Sequence, residues 1–354
     1  MSESKAVAGM SRRVAIALLA WIGVVQMDSA SAQDSKTQDS KTQDSKTYVM
    51  RLSTATLNDV QHEWMKRYAA AIEKKTGGRI KTELYPASQL GTIPRQIEGT
   101  QLGSIQVWVG PPEFLVGVDP NFEMLCAPGL FPDEQVALKT IRDPEFSKAF
   151  INVGVGKGLV GLALNYSGPM AFDMRAPVRT LADLKGKKVR VLASPFQTEQ
   201  MSRLGATGVA MSLGDVLPAI QQGAIDGAMS STGVFTALKY YDAAKYLTES
   251  NHAYVLSISM VSKRWLESLP PDLQDIVVST GKEAADDVLP WSLDFVAAQR
   301  KAWVANGGEL INFSPEDSAE LMKMMAPIGG DVVKSRPQMQ SLWNLLNATI
   351  KRVQ

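Results

Sequence analysis

Few side chains in this chain could do covalent chemistry. The only thiol is Cys126, set in the apolar run Met124-Leu125-Cys126-Ala127-Pro128. That setting suits a buried core thiol, and one cysteine makes neither an internal disulfide nor a cysteine-rich zinc site. The imidazoles are His62 and His252, far apart in the sequence. No spacing of Ser, His and Asp marks a nucleophile with its base, and no metal-ligand spacing occurs. Lys185-Gly186-Lys187-Lys188 lacks the glycine spacing and the Lys-Ser/Thr ending of a phosphate loop, so it reads as a solvated turn. The residue that stands out is Arg190. It lies between Val189 and Val191 in the run Lys188 to Leu192. On a strand its guanidinium points away from the face of those two neighbours, and as a permanent cation it must be solvated or paired. Two roles fit: a structural ion pair, or a fixed fork at a strand end that receives a ligand carboxylate.

The stretch around Arg190 gives the fold class. From Thr180 to Thr232 the pattern runs strand (Lys188 to Leu192), helix, strand (Val209 to Met211), helix, strand (Gly227 to Met229), with short connections. That order builds a parallel sheet covered by helices. Upstream the same alternation recurs. Tyr48 to Ser53, Arg79 to Tyr85 and Ser104 to Val109 read as strands. Between them lie a helix ended by Gly77-Gly78 and another over about Pro94 to Leu102. Leu159 to Tyr166 and Tyr254 to Val261 are apolar strands, and Ser167 to Arg179 is a loop or bent strand. Pro270-Pro271 opens a long helix to about Asn306, with Pro290 expected to kink it. Pro218 is tolerable only in the first turn of its helix. Ser314-Pro315 starts the last helical segment.

The N-terminus reads as an export signal. Arg12-Arg13 precede the twelve apolar residues Val14 to Val25, and Ala30-Ser31-Ala32 is a small-residue cleavage site. Twelve residues are short for a membrane span. Ser11-Arg12-Arg13 hints at twin-arginine export. Cleavage near Ala32 leaves QDSKT three times over 33–47, a polar leader expected to be disordered. The 37 basic and 36 acidic residues balance to a net charge of +1, which leaves no basic excess for nucleic acid.

The run DLKGKKVRV with AIQQGAIDGA resembles the solute-binding subunits of tripartite ATP-independent periplasmic (TRAP) transporters, the C4-dicarboxylate-binding type. TELYPASQLG (82–91), IEGTQLGSIQ (97–106) and SMVSKRWLESLPPDLQDIV (259–277) agree in order. The resemblance spans roughly residues 48 to 350. It implies a two-lobe periplasmic-binding-protein fold of the α/β class, with doubly wound sheets and a long helix along both lobes. Lobe I is expected over 48–166 with about 256–290, and lobe II over 167–255 with about 291–354. It also implies a monomeric periplasmic protein, without cofactor or metal, that hands a small organic acid to membrane permease subunits. The arginine matching Arg190 binds the substrate carboxylate. A second arginine found in some relatives is Met170 here, which favours a monocarboxylate with an apolar body, and Arg175 or Arg179 lies near enough in sequence to substitute. By the same spacing Ser194, Phe196, Leu213 and Ser230 fall at pocket positions. Trp108 is either an aromatic wall of the cleft or core, and Ser230 either a polar contact or part of a helix cap. A ligand sensor for a membrane receptor could use the same pocket. A secreted two-lobe enzyme would need the catalytic groups missing above.

Overall fold

The computed structural model describes residues 46–354. The export signal over 1–32 and the leader as far as residue 45 lie outside the described residues. The first alternating run is β1 (Tyr48–Thr54), α1 (Val60–Lys75), β2 (Ile80–Tyr85), α2 (Ile93–Leu102) and β3 (Val107–Gly110). Two helices, α3 (Glu134–Arg142) and α4 (Pro144–Ile151), lead into the long strand β4 (Leu159–Met174). The second run is β5 (Lys188–Val191), α5 (Pro195–Arg203), β6 (Thr207–Ala210), α6 (Leu213–Gln221), β7 (Gly227–Ser231) and α7 (Thr232–Ala237). A second long strand, β8 (Tyr246–Ser262), passes through the short α8 (Lys263–Leu266) to α9 (Pro271–Ala305). The chain closes with β9 (Glu309–Asn312), α10 (Pro315–Met325), α11 (Pro327–Lys334) and α12 (Gln340–Val353).

One sheet orders the strands β2-β1-β3-β8-β4-β7-β5-β6, with β9 beside β8. Each end is a parallel, alternately wound unit: β1 pairs parallel with β2 and β3, and β5 with β6 and β7. Between them β4 and β8 run antiparallel through both halves, from Val160 opposite Val261 to Met174 opposite Tyr246. Their register breaks near the middle, between Tyr166 and Ala171. Gly168 there has φ +112°, a conformation open to glycine and strained for side chains. The bent segment after Tyr166 is therefore the second half of β4.

Helix α9 fastens the two ends together. Near its start it receives hydrogen bonds from α1, Tyr68 Oη to Val277 O at 2.9 Å and Trp64 Nε1 to Gly281 O at 3.3 Å. Near its end Arg300 Nε clasps both oxygens of Glu249 on β8, at 2.7 and 2.9 Å. A Cβ on Gly281 would lie 2.7 Å from Leu162 Cβ, so the glycine is what lets α9 press against β4. The helix runs unbroken through Pro290. Pro218 also corrects the expectation: it lies inside α6, five residues past the helix start at Leu213, not in the first turn. The third strand is shorter than Ser104 to Val109, because Ser104 to Gln106 turn in from α2 and Gln106 spends its backbone N–H on Arg51 O at 3.0 Å. The edge strand β9 and helices α3 and α4 carry patterns too brief to separate from loop in the sequence.

Asp173 on β4 is fully buried, and neither carboxylate oxygen has a hydrogen-bond partner among the described residues. Burial drives its pKa well above the usual aspartate value. The folded state therefore holds a proton that the unfolded chain releases above about pH 4. Stability is lost as pH rises from there towards the folded pKa, at about 1.4 kcal/mol per pH unit. Asp173→Asn is expected to match the native protein near pH 3 and to gain on it steadily at higher pH. Urea unfolding from pH 3 to 8 reads this directly, and parallel pH profiles for the two proteins would reject it.

Candidate functional site

Alternation along β5 sends Val189 and Val191 into the large core that also holds Phe196 and Met201, and sends Arg190 to the other face. Register places Arg190 beside Ala228 on β7, with Asp173 of β4 on the far side of the same alanine. Arg190 is 2% exposed. Its Nε donates to Met211 O at 3.0 Å and its Nη1 to Met229 O at 3.2 Å. Nη2 has no partner among the described residues. The ring of Phe114 lies 6.0 Å from the guanidinium carbon, within cation–π range. Burial lowers the pKa to about 10, so the group stays cationic at neutral pH. The two backbone carbonyls fix the fork without neutralising it. Glu113, the residue before Phe114, is buried with Oε2 unpartnered, and burial pushes its carboxyl up to about 7. It is therefore a weak counterion for Arg190.

Arg190 opens into a cavity between the two ends of the sheet. Trp108, Leu213 and Ser230 line it too. Trp108 serves both roles read from the sequence: it is 1% exposed in the core, and its ring forms cavity wall. A Cβ on Gly110 would sit 2.3 Å from that ring, so the glycine makes room for it. The hydroxyl cluster after β7 divides its work. Ser231 Oγ accepts from Val234 N at 3.5 Å and caps α7, leaving Ser230 to face the cavity. Leu213 contributes from the first turn of α6. The space enclosed is about 20 Å³, little more than a water needs, so a solute enters only when the walls part.

The other five candidates do not line this cavity. Ser194 is the N-cap of α5. Its Oγ accepts from Phe196 N at 3.2 Å and donates to Glu123 Oε2 at 3.0 Å, which turns it into the core. Phe196 is fully buried in that core, and Met170 packs there as well at 1% exposure. Arg175 is exposed at the end of β4, its guanidinium lying over Gly223. Arg179 donates to Glu309 Oε1 at 2.6 Å on the surface. The sequence reading passed over Gln61, Thr56, Ile93, Phe114 and Val234, all of which line the cavity. Only Phe114 carried a signal, lying two residues past the Pro111-Pro112 turn after β3.

The titratable groups named earlier are structural. His252 is buried, stacks on Phe172 with ring centroids 5.8 Å apart, and bonds Ser250 Oγ through Nδ1 at 2.8 Å. Burial holds its pKa down at about 3, so it is neutral. His62 Nδ1 accepts from Asn58 N at 3.1 Å, at the start of α1. The Cys126 thiol donates to Glu123 O at 2.9 Å, and burial raises its pKa well above the ordinary thiol value. Among the described residues no group of three His, Cys, Asp or Glu could hold a metal.

Residues 52–335 match the family model for bacterial extracellular solute-binding protein, family 7, DctP. This chain belongs to the TRAP solute-binding proteins. Curated relatives include the 2,3-diketo-L-gulonate-binding periplasmic protein YiaO of Escherichia coli. It is 30% identical over 231 residues, which is 64% of this chain and 70% of that protein. A Salmonella typhimurium protein of uncharacterised function is 27% identical and covers 83% of this chain and 90% of its own length. Among solved structures, a TRAP periplasmic solute-binding protein from Desulfovibrio salexigens with bound orotic acid superposes with TM-score 0.82. It is 25% identical, over 87% of this chain and all of that one. Another from Xanthobacter autotrophicus, with bound β-D-galacturonate, gives TM-score 0.78 at 26% identity, over 84% of this chain and 99% of that one. As a TRAP solute-binding protein the chain is periplasmic and non-catalytic, takes a small organic acid, and works with TRAP permease subunits. The two-lobe α/β expectation and the bridging helix hold.

Proposed function

We propose that this TRAP protein captures a small monocarboxylate with a compact apolar body, holding its carboxylate at Arg190. The observation that carries the reading is a buried guanidinium, fixed by two main-chain carbonyls and with no salt-bridge partner among the described residues, at the edge of a mainly apolar cavity. Charge-assisted hydrogen bonds contribute about 1.5–3 kcal/mol each. Ser230 gives one further hydroxyl, and Trp108, Phe114 and Leu213 cover the ligand's apolar part. Met170 stands where some relatives use a second arginine and points into the core, so a second carboxylate finds no cation there. Orotic acid and galacturonate, bound by the two relatives above, are each acids with a single carboxylate.

The lobes divide, in this reading, at the register break of β4 after Tyr166 and at Leu256 opposite it. Loading is then a hinge motion about those bulges, which opens the cavity and closes it over the acid. The closed monomer docks on the permease. A thermal-shift screen of organic acids on the mature protein, followed by calorimetry, tests the proposal, because a ligand that binds only the folded state raises its melting temperature. Monocarboxylates are expected to give the largest shifts. A screen in which only dicarboxylates, or no acids, shift the protein rejects it.

A further inference from the structure

Gln61, the second residue of α1, is 2% exposed and lines the cavity from the opposite end of the sheet to Arg190. Its Oε1 is engaged, accepting from Thr54 Oγ1 at 3.1 Å. Its Nε2 has no partner among the described residues and is not sealed from the cavity. The hydroxyls around it set this polarity. Asp59 Oδ1 accepts from Thr56 Oγ1 at 2.7 Å and, as the N-cap of α1, from His62 N at 3.1 Å. Thr56 therefore has its proton committed to Asp59, which leaves Thr54, 3.3 Å away, free to give its own to Gln61. The amide is thereby oriented as a pure donor towards the cavity. Among the described residues no carboxylate side chain lines the same space.

We propose that Gln61 is a ligand contact and sets specificity: its amide N–H₂ donates to a second acceptor oxygen of the bound acid, so the preferred ligands are oxo or hydroxy acids rather than plain alkanoates or amino acids. The proposal rests on the carboxylate being held at Arg190. An ammonium group would meet no carboxylate among the described lining residues, and burying it without a countercharge is costly. A neutral donor–acceptor pair in a closed site supports about tenfold discrimination. It also joins the two ends of the sheet through the ligand, since Gln61 comes with the β1–α1 segment and Arg190 with β5.

The test is calorimetry on the mature protein with matched probes: oxo acids of three to six carbons, each against the counterpart in which a methylene or a branched carbon replaces the carbonyl. Native protein is expected to favour the oxo acid by about tenfold at one or more lengths. Gln61→Met, of similar volume, should bring that ratio close to one. Gln61→Glu, which keeps the acceptor for Thr54 and replaces the donor by an anion, should invert it. Melting curves identify any variant that fails to fold, and Thr54→Val, which frees the amide to rotate and also removes the acceptor for Thr56 N, then gives the second reading as a partial loss of the ratio. An unchanged ratio in Gln61→Met, or a native preference for the plain acid at every length, overturns the role of Gln61 alone. Absence of binding by every acid overturns the carboxylate reading beneath it.

Discussion

Arg190→Ala is expected to weaken binding of the acid by about 100-fold or more, because it removes the only cation lining the cavity among the described residues. The effect belongs to affinity and not to folding. Arg190 is buried at a desolvation cost that lowers its pKa, and it has no anionic partner close enough to offset that cost. Removing it should leave the melting temperature of the unliganded protein level or higher. Arg190→Lys should bind almost as poorly. An ammonium group cannot span Met211 O and Met229 O and still present a second N–H to the ligand, as the planar fork does. Calorimetry with the best acid from the screen decides the matter: native-like affinity in either variant removes Arg190 from the site.

Arg336→Met is expected to cost about 3 kcal/mol of folding stability. Glu123 is wholly buried, with Oε1 on Arg336 Nη1 at 2.5 Å and Oε2 on Ser194 Oγ at 3.0 Å. Burial already raises the Glu123 pKa, outweighing the lowering by Ser194 and Arg336. Without the arginine a buried charge loses its countercharge, and either it stays ionised at high cost or it takes up a proton. Denaturant unfolding at neutral pH should show the loss. It should shrink in acid, where the orphaned carboxyl is protonated, while Glu123→Gln with Arg336→Met recovers much of it. A single Arg336→Met variant as stable as the native protein would refute this account.

The face Arg190 takes was legible in the sequence because a cation between two valines on a strand points away from both, while its role as a carboxylate fork rested on the family resemblance. The strand fixes its face, and the turn into α5 fixes its end. Trp108 was legible from its place at the end of a strand before Gly110-Pro111-Pro112, whereas Leu213 and Ser230 were placed by their spacing from Arg190 within the family resemblance. Ser194 and Phe196 sit just as near in sequence but turn away. Ser194-Pro195 is a helix-capping pair, and a hydroxyl that accepts from Phe196 N cannot also face a solute. That signal was present and outweighed by spacing. Met170 follows the bulge in β4, where face alternation slips, and no sequence pattern announces a bulge of that kind. Gln61 was hidden by its context: on α1 it reads as an ordinary polar residue, and its value comes from two threonines and an aspartate that the β1–α1 turn folds back upon it. The long strands were underestimated for another reason. Half of each was visible as an apolar run, whereas Tyr246 to Glu249 mixes polar and apolar residues and pairs with β4 on one side and β9 on the other.

The shared central pair of strands has an evolutionary corollary. If the lobes divide at the register break as proposed above, neither lobe corresponds to a contiguous stretch of gene, and β4 and β8 each belong to both. Recombination that exchanges one half for a homologue's must splice in the middle of two strands and preserve their broken register on both sides. On that division, new solute preferences are expected to arise more readily through single replacements around the cavity than through the shuffling of whole lobes.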